Sequence, residues 1–260
     1  MPQPKQTVSL ESRRERILAY LSERNRTSVG DLSGVLGVSE VTVRKDLDQL
    51  DAQGMLTRVH GGAVISGRGR LERYFAAREQ EHLDEKRRIA QAAAALIQSG
   101  QRLFLDASTT GIQVARLIKD CEDLVVVTNG LYTALELNFS EDITTIVVGG
   151  TMRRRSSSLV GSFNYAALQR LRLDIGFFGA RAVMPQVGLM DTDLDEAQLK
   201  QLMVSVSATV VAIVDSSKFD DVAFSVFALP REIQRIITDD GAPANLVADL
   251  RAQDILVDLV

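Results

Sequence analysis

The apolar residues near the amino terminus recur at the spacing of a helix. Ile17, Leu18 and Leu21 fall on one helical face. Ser12 and Glu15 stand three residues apart just ahead of them, which is the pattern of a capping box. A first amphipathic helix is therefore predicted to begin near Ser12.

Two further helices and a hairpin are predicted before residue 66. The apolar residues expected on the buried face of the second helix are Leu32, Val35 and Leu36. Gly37 breaks this pattern, and Ser39 has the side chain of an N-cap for a third helix that would stop at Gly54. Two short β-prone stretches then flank Gly61 and Gly62, as they do in a hairpin.

From residue 81 onward, apolar runs alternate with amphipathic stretches. A helical pattern covers 83–97, and after it come the apolar runs RLFLD, LVVVT, ITTIVV, IGFFGA, TVVAIVD and RIIT. Such alternation is typical of an α/β domain whose mainly parallel sheet is covered on both faces. The small and polar residues of 66–80 predict a connector. We therefore expect a domain at 1–65, a linker at 66–80 and an α/β domain at 81–260.

Composition narrows the class of protein. The chain has 260 residues, of which 45% are hydrophobic and 25% charged, and Cys121 is its one cysteine. No secretory signal or membrane span is visible, so a soluble, cytoplasmic protein is expected. The net charge is -4. Residues 1–73 hold twelve Lys and Arg against nine Asp and Glu, a balance of +3, so the remainder carries -7.

The third helix has a face suited to DNA. Val43, Leu47 and Leu50 would point to the core, which turns the opposite face outward. That face could enter a major groove, the capped helix end could hold a phosphate, and the hairpin could contact the flanking backbone as a wing. The candidate DNA-binding residues are Ser39, Val41, Thr42, Arg44, Lys45, Arg58 and His60. The alternative is a domain that contacts another protein and leaves these charges solvated.

Polar residues follow several of the predicted strands, where ligands bind in open parallel sheets. Hydroxyls and free N–H groups at the start of a helix favour an anion, while carboxylate and amide groups suit sugar hydroxyls. Glycines permit close backbone approach. The candidate effector-binding residues at these ends are Asp106, Ser108, Thr109, Thr110, Asn129, Gly149, Gly150 and Lys218.

Two charged segments have more than one interpretation. The run Arg153, Arg154 and Arg155 is expected in a mobile loop, either as a lid over an anionic effector or as a solvated surface. An acidic run could hold a hard metal ion, but its spacing is not that of an EF-hand loop, which favours surface charge. The acidic run consists of Asp191, Asp193, Asp195 and Glu196.

The motifs VSEVTVRKDL and VHGGA, within 28–63, resemble the DeoR family of bacterial regulators. The body resembles the same family in DASTT at 106–110, TNG at 128–130, DIGFFGA at 174–180, GLM at 188–190 and DSSKF at 215–219. The resemblance implies a winged helix-turn-helix and a body similar in fold to ribose-5-phosphate isomerase that binds phosphorylated sugars. It also adds Gly161, Glu196 and Lys200 to the residues of interest. Lys45 stands where the family usually has a second arginine, and Ser108 where it usually has glycine.

The sequence therefore predicts a DNA-binding transcription regulator, with a repressor of carbohydrate metabolism genes as the family's usual form. Expected partners are a double-stranded DNA operator and a phosphorylated sugar, with no membrane, no cofactor and no metal. A homodimer or homotetramer is expected because helix-turn-helix proteins read paired half-sites. The rival interpretation is an enzyme like a sugar-phosphate isomerase, with Asp106 or Glu196 as its base.

Overall fold

The structure is a computed structural model that describes residues 10–66, 75, 77–161, 165–219 and 221–260. The chain divides into two compact units, residues 1–77 and 78–260, here called the head and the body. The division falls within the predicted connector, most of which, including Tyr74, lies outside the described residues. Among the helices in these ranges, none has both the length and the apolar character needed to cross a bilayer.

The head contains the predicted three helices and hairpin, together with a short strand that the sequence did not reveal. Its elements are α1 (Leu10–Arg24), β1 (Arg26–Ser28), α2 (Val29–Leu36), α3 (Glu40–Ala52), β2 (Leu56–Val59) and β3 (Gly62–Ile65). The strands form a sheet of order β1-β3-β2. Gly62 permits this, since a Cβ there would lie 2.1 Å from the Thr27 carbonyl oxygen.

The prediction that Val35 lies in the core of the head was wrong. Val35 is 46% exposed, whereas Val29, Leu32 and Leu36 are buried. Helix α2 begins at Val29 because Ser28 forms a capping box with Asp31. In a helix that starts at Val29, residues 29, 32 and 36 lie on the face toward the core, and Val35 lies outside that face. The first helix also begins earlier than predicted, at Leu10.

The body is an α/β unit around one parallel sheet. Its helices are α4 (Leu83–Ala94), α5 (Thr109–Ile118), α6 (Leu131–Leu137), α7 (Tyr165–Leu168), α8 (Leu194–Val206) and α9 (Ala244–Arg251). Its strands are β4 (Arg102–Leu105), β5 (Leu124–Thr128), β6 (Ile143–Val147), β7 (Thr151–Arg153), β8 (Ser158–Val160), β9 (Leu173–Phe178), β10 (Ala182–Met184), β11 (Gly188–Asp191), β12 (Ser207–Ile213), β13 (Ser225–Ala228), β14 (Arg235–Thr238) and β15 (Leu256–Leu259).

The main sheet has seven strands in the order β15-β14-β12-β9-β4-β5-β6, and every adjacent pair is parallel. All six apolar runs of the sequence lie in it, so the prediction of a parallel α/β sheet is confirmed. The seventh strand, β15, was not predicted. Helix α4 ends at Ala94, three residues before the predicted Ile97. Two buried clusters lie in the body, one of them centred on Phe104, Phe178 and Phe227.

Residues 151–160 correct the expectation of a mobile loop. They form the antiparallel hairpin β7–β8, in which Arg153 is paired with Ser158. An isolated bridge between Gly130 and Ser158 joins the hairpin to the end of β5. A second small sheet has the order β10-β11-β13.

Candidate functional site

The outward face of α3 carries the candidate DNA-binding side chains. Ser39 caps the helix by accepting from the Thr42 N–H at 3.2 Å, and the two hydroxyls lie 2.9 Å apart. Val41 is 60% exposed, and Lys45 is exposed and forms no ion pair with any residue that the structure describes. Arg44 is exposed and pairs with Glu40 one turn earlier, at 2.6 Å. An exposed pair of this kind is weak and can be exchanged for a phosphate.

The two hairpin candidates differ in their surroundings. His60 is exposed at the turn between β2 and β3. Arg58 is held within the head: its Nε lies 3.0 Å from Asp48 on α3, and its Nη1 donates to the Gly62 carbonyl at 3.1 Å. Arg58 thus fixes the hairpin against α3.

Asp46 is a buried charged residue of the head that the sequence analysis missed. It is buried on α3 and accepts from Arg13 on α1 at 2.6 Å, while the Nε of Arg14 lies 3.4 Å away. An aspartate on the inner side of an amphipathic helix, with arginines on a preceding helix, is the signal that could have revealed this ion pair.

In the body, the loop after β4 opens helix α5. The Ser108 side chain caps this helix by accepting from the Gly111 N–H at 2.9 Å. Thr109 and Thr110 are buried in its first turn. The serine that departs from the family pattern therefore has a structural role, since it supplies the helix cap. The helix start places free N–H groups at the carboxyl ends of the parallel strands.

Asp106 is fully buried at the base of this loop. One of its oxygens accepts from the Ser108 N–H at 3.1 Å, and the other from the Gly179 N–H at 2.8 Å. Lys200 lies 3.1 Å from the same carboxylate and 3.0 Å from Asp191. The carboxylate thus ties the loop after β4 to the end of β9 and to α8.

Lys200 is the centre of a buried charge network. Burial by itself would lower the pKa of Lys200, but the carboxylates of Asp191, Asp106 and Glu196 outweigh it and raise the pKa above its ordinary value. Burial would raise the pKa of Asp191, but Lys200 outweighs that effect and lowers it. Lys200 also donates to the Gly179 carbonyl at 2.9 Å and lies 5.0 Å from the centre of the Phe227 ring. The ammonium stays charged inside the protein.

A second buried group joins three loops at the same end of the sheet. Glu196 accepts from Asn129 at 2.9 Å, from Arg153 at 2.8 Å and from Ser158 at 2.7 Å. Asn129 in turn accepts from the Ala107 N–H at 3.1 Å. The structure therefore brings Asp106, Ser108, Asn129 and Glu196 together around one loop.

Of the acidic run at 191–196, Asp195 is exposed as expected, whereas the other three residues are engaged in contacts within the protein. Asp191 pairs with buried Lys200, and Asp193 caps α8 and pairs with Arg153 at 3.1 Å. Glu196 is buried in the group described above. In the described ranges, no cluster of histidine, cysteine and acidic side chains is arranged to hold a metal ion. The sequence analysis missed this because the basic partners come from other elements.

The remaining effector candidates lie around this centre. Gly149 and Gly150 connect β6 to β7, and a Cβ at Gly150 would lie 2.2 Å from the Val160 carbonyl oxygen, so that glycine permits packing within the hairpin. Gly161, with a φ of 110°, follows β8. Lys218 lies in a short 3-10 turn after β12, where its Nζ is 3.7 Å from Asp215.

The first residues of the body are attached to this centre through α5. Glu79, in a helical stretch at 77–80, accepts from Gln113 at 3.1 Å and pairs with Arg116, both on α5. Lys86 on α4 is buried and donates to the carbonyls of Arg78 and Glu81 at 2.5 Å each. Its pKa is lowered by burial. Sequence reasoning did not single out either residue.

Comparison with known proteins agrees with this arrangement. Residues 13–68 match the DeoR-like helix-turn-helix domain, and residues 81–240 match the DeoR C terminal sensor domain. The chain is 37% identical over 246 residues to the HTH-type transcriptional regulator GlpR of Haloferax volcanii, covering 94% of this chain and 96% of the relative. It is 30% identical over 244 residues to the L-fucose operon activator of Haemophilus influenzae, covering 94% and 98%.

Among solved structures, ribose 5-phosphate isomerase A from Methanocaldococcus jannaschii aligns with a TM-score of 0.40 at 16% identity, over 53% of this chain and 55% of that one. The eIF2B beta subunit of Chaetomium thermophilum aligns with a TM-score of 0.42 at 15% identity, over 88% and 87%. The two domain matches and the full-length relatives establish that this chain belongs to the DeoR family of DNA-binding transcription regulators.

Proposed function

We propose that this regulator controls carbohydrate metabolism genes, in the usual case as a repressor, and that a phosphorylated sugar changes its affinity for a double-stranded DNA operator. The part of this proposal that concerns ligand sensing rests on the loop at 106–110. It opens the ten-residue helix α5 at the carboxyl end of a central parallel strand. A helix start at such a strand end favours an anion, and the surrounding polar groups suit sugar hydroxyls.

The roles of the candidate residues follow from their contacts. Thr109 and Thr110 bring their N–H groups to the anion, Ser108 holds the start of the helix through its side-chain cap, and Lys218 adds positive charge on a neighbouring loop. Asp106 and Glu196 are fully engaged by protein donors, so they act by holding the loop in shape. The same engagement argues against the isomerase alternative, because a general base needs a carboxylate that can reach the substrate.

The experiment that tests sensing is thermal unfolding of the full chain with a panel of sugar phosphates and their unphosphorylated counterparts. A ligand that binds the folded state raises the midpoint by mass action. One phosphorylated sugar is expected to raise it selectively. If no compound of the panel raises the unfolding midpoint, or if the free sugars raise it equally, the loop at 106–110 is not a binding site for a sugar phosphate.

We propose that ligand binding reaches the head through Glu79. The helix that begins at the anion loop also holds Glu79 through Gln113 and Arg116. Glu79 is the second residue of the body and lies at the end of the connector predicted at 66–80. A shift of α5 on binding would therefore move the point at which the chain leaves for the head, and the two affinities would be linked.

In the native protein the ligand is expected to change DNA affinity by a factor of about 5 to 150. Glu79→Gln is expected to bind the ligand as before, but to reduce this factor at least threefold. The reason is that the neutral amide no longer pairs with the Arg116 guanidinium. Fluorescence anisotropy with operator DNA, with and without the sugar phosphate, measures it. Glu136→Gln is the matched control, because Glu136 pairs with the same arginine at 3.2 Å but belongs to α6. Equal responses in the two variants would contradict the proposal.

Cytoplasmic location and assembly into a homodimer or homotetramer complete the proposal. Both follow from the expected target, since an operator with two half-sites is matched by two heads related by symmetry.

A further inference from the structure

One edge of the main sheet carries a group of exposed apolar side chains. They come from α5, α6, β6 and β7 and from the turn after α6. Helix α6 packs against both α5 and β6, so these elements are neighbours. The exposed side chains are Leu117, Leu135, Phe139, Ile146, Val147 and Met152. We call this surface the β6 edge. Large apolar groups gathered on one surface mark an interaction site more often than a solvated face.

The backbone of β6 is open on its outer side. Asp142 accepts from the Leu124 N–H, and the Val148 N–H donates to Thr128, so the even-numbered residues of this stretch face β5. The alternation of a strand then turns the N–H and C=O groups of Ile143, Thr145 and Val147 outward. In the described part of the chain, β6 pairs with β5 and with no other strand. The edge therefore offers a row of hydrogen-bonding groups.

The opposite edge of the same sheet is protected. Leu256 donates to Gln234 and Val260 donates to Thr238, which turns Val257 outward on β15. The outward Val257 carbonyl already accepts from Arg251 at 2.8 Å. A side chain that occupies an edge carbonyl in this way prevents strand addition. The two edges thus differ, and β6 is the one available to a partner.

We propose that the β6 edge pairs with the β6 edge of a second copy of this chain, antiparallel, about a two-fold axis at Thr145. The odd-numbered residues that face outward are those that an antiparallel pair centred on Thr145 would join. Ile143 would then lie opposite Val147 of the second copy.

Charge supports a second copy as the occupant. Glu141 and Asp142 are exposed at the start of β6, and Arg154 is exposed at the hairpin that follows its end. An antiparallel pair brings the start of each strand, with its two acidic residues, to the end of the other strand, from which the chain continues to Arg154. Phe139, which is 89% exposed, lies just before this acidic pair.

This inference rests on the proposed function in one respect, that an operator with two half-sites requires two copies. The test of it needs neither DNA nor ligand. The mass of the full chain in solution would be measured by light scattering after size exclusion, over a wide range of concentration, for the native protein and three variants. Ile146→Lys places a charge on the β6 edge, and Thr145→Pro removes an outward N–H without removing a bond to β5.

Leu259→Lys is the matched control, because Leu259 is 46% exposed on β15 and Ile146 is 42% exposed on β6. The native protein and Leu259→Lys are expected to share one mass, a dimer or a larger even assembly. Ile146→Lys and Thr145→Pro are expected to halve that mass, and circular dichroism would show that each variant remains folded.

A monomeric native protein would overturn the proposal. It would also be overturned if a folded Ile146→Lys variant kept the native mass, or if Leu259→Lys lowered the mass to the same extent. In those cases operator binding and the thermal shift with a sugar phosphate can still be present, which would leave the proposed function standing and the β6 edge excluded as its interface.

Discussion

Lys200→Met is expected to lower the free energy of unfolding of the body by about 3–5 kcal/mol, because it leaves two buried carboxylates without their cation. Lys200 lies 3.1 Å from Asp106 and 3.0 Å from Asp191, and all three side chains are largely buried. Methionine has a similar length and is apolar, so the packing against Phe227 changes little. Urea unfolding of the full chain followed by circular dichroism measures the loss.

Lys218→Met is the matched control for this substitution. Lys218 also pairs with an aspartate, but at 3.7 Å and with a partly exposed side chain. Its loss is expected to cost less than about 1 kcal/mol. If the two variants were equally stable, the Lys200 network would not be the element that holds the loop at 106–110.

Lys45→Ala is expected to weaken operator binding by about 1–3 kcal/mol, or roughly 5- to 150-fold, through loss of a contact with a guanine edge or a phosphate. Lys45 is exposed on α3, on the face opposite the buried Val43 and Leu47. The affinity is measured by anisotropy at fixed moderate salt, on DNA that the native protein selects from a random pool.

Lys119→Ala removes a similarly exposed lysine from the body and is expected to leave the affinity unchanged. A smaller dependence of binding on salt in Lys45→Ala would assign the contact to a phosphate, whereas relaxed base preference would assign it to a base edge. An affinity within twofold of the native value would remove Lys45 from the interface.

The sequence predicted those parts of the fold that depend on local pattern. The apolar runs of the six sheet strands and the cap at Ser39 could be found in this way, because burial on both faces and helix capping act within a few residues. Strand β1 has three residues and could not be found, since it exists by pairing with β3. The exposure of Val35 was missed because a single cap, Ser28, sets the rotation of α2.

The charged residues of the sites were the least predictable. Asp46, Arg58 and Glu79 each pair with residues distant in the sequence, and no local pattern reveals such partners. The acidic run at 191–196 was assigned to the surface for the same reason, since Lys200 and Arg153 reach it only in the folded chain. The sequence located the carboxyl ends of the strands but did not show which polar groups there are already engaged.

The claim that a phosphorylated sugar changes operator affinity can be tested directly. Affinity for the selected operator DNA would be measured with and without the sugar phosphate that raises the unfolding midpoint. We expect operator affinity to change by about 5- to 150-fold, and ligand affinity to change by the same factor when DNA is bound. An operator affinity that stays constant while the ligand is shown to be bound would contradict the claim that this regulator senses a phosphorylated sugar.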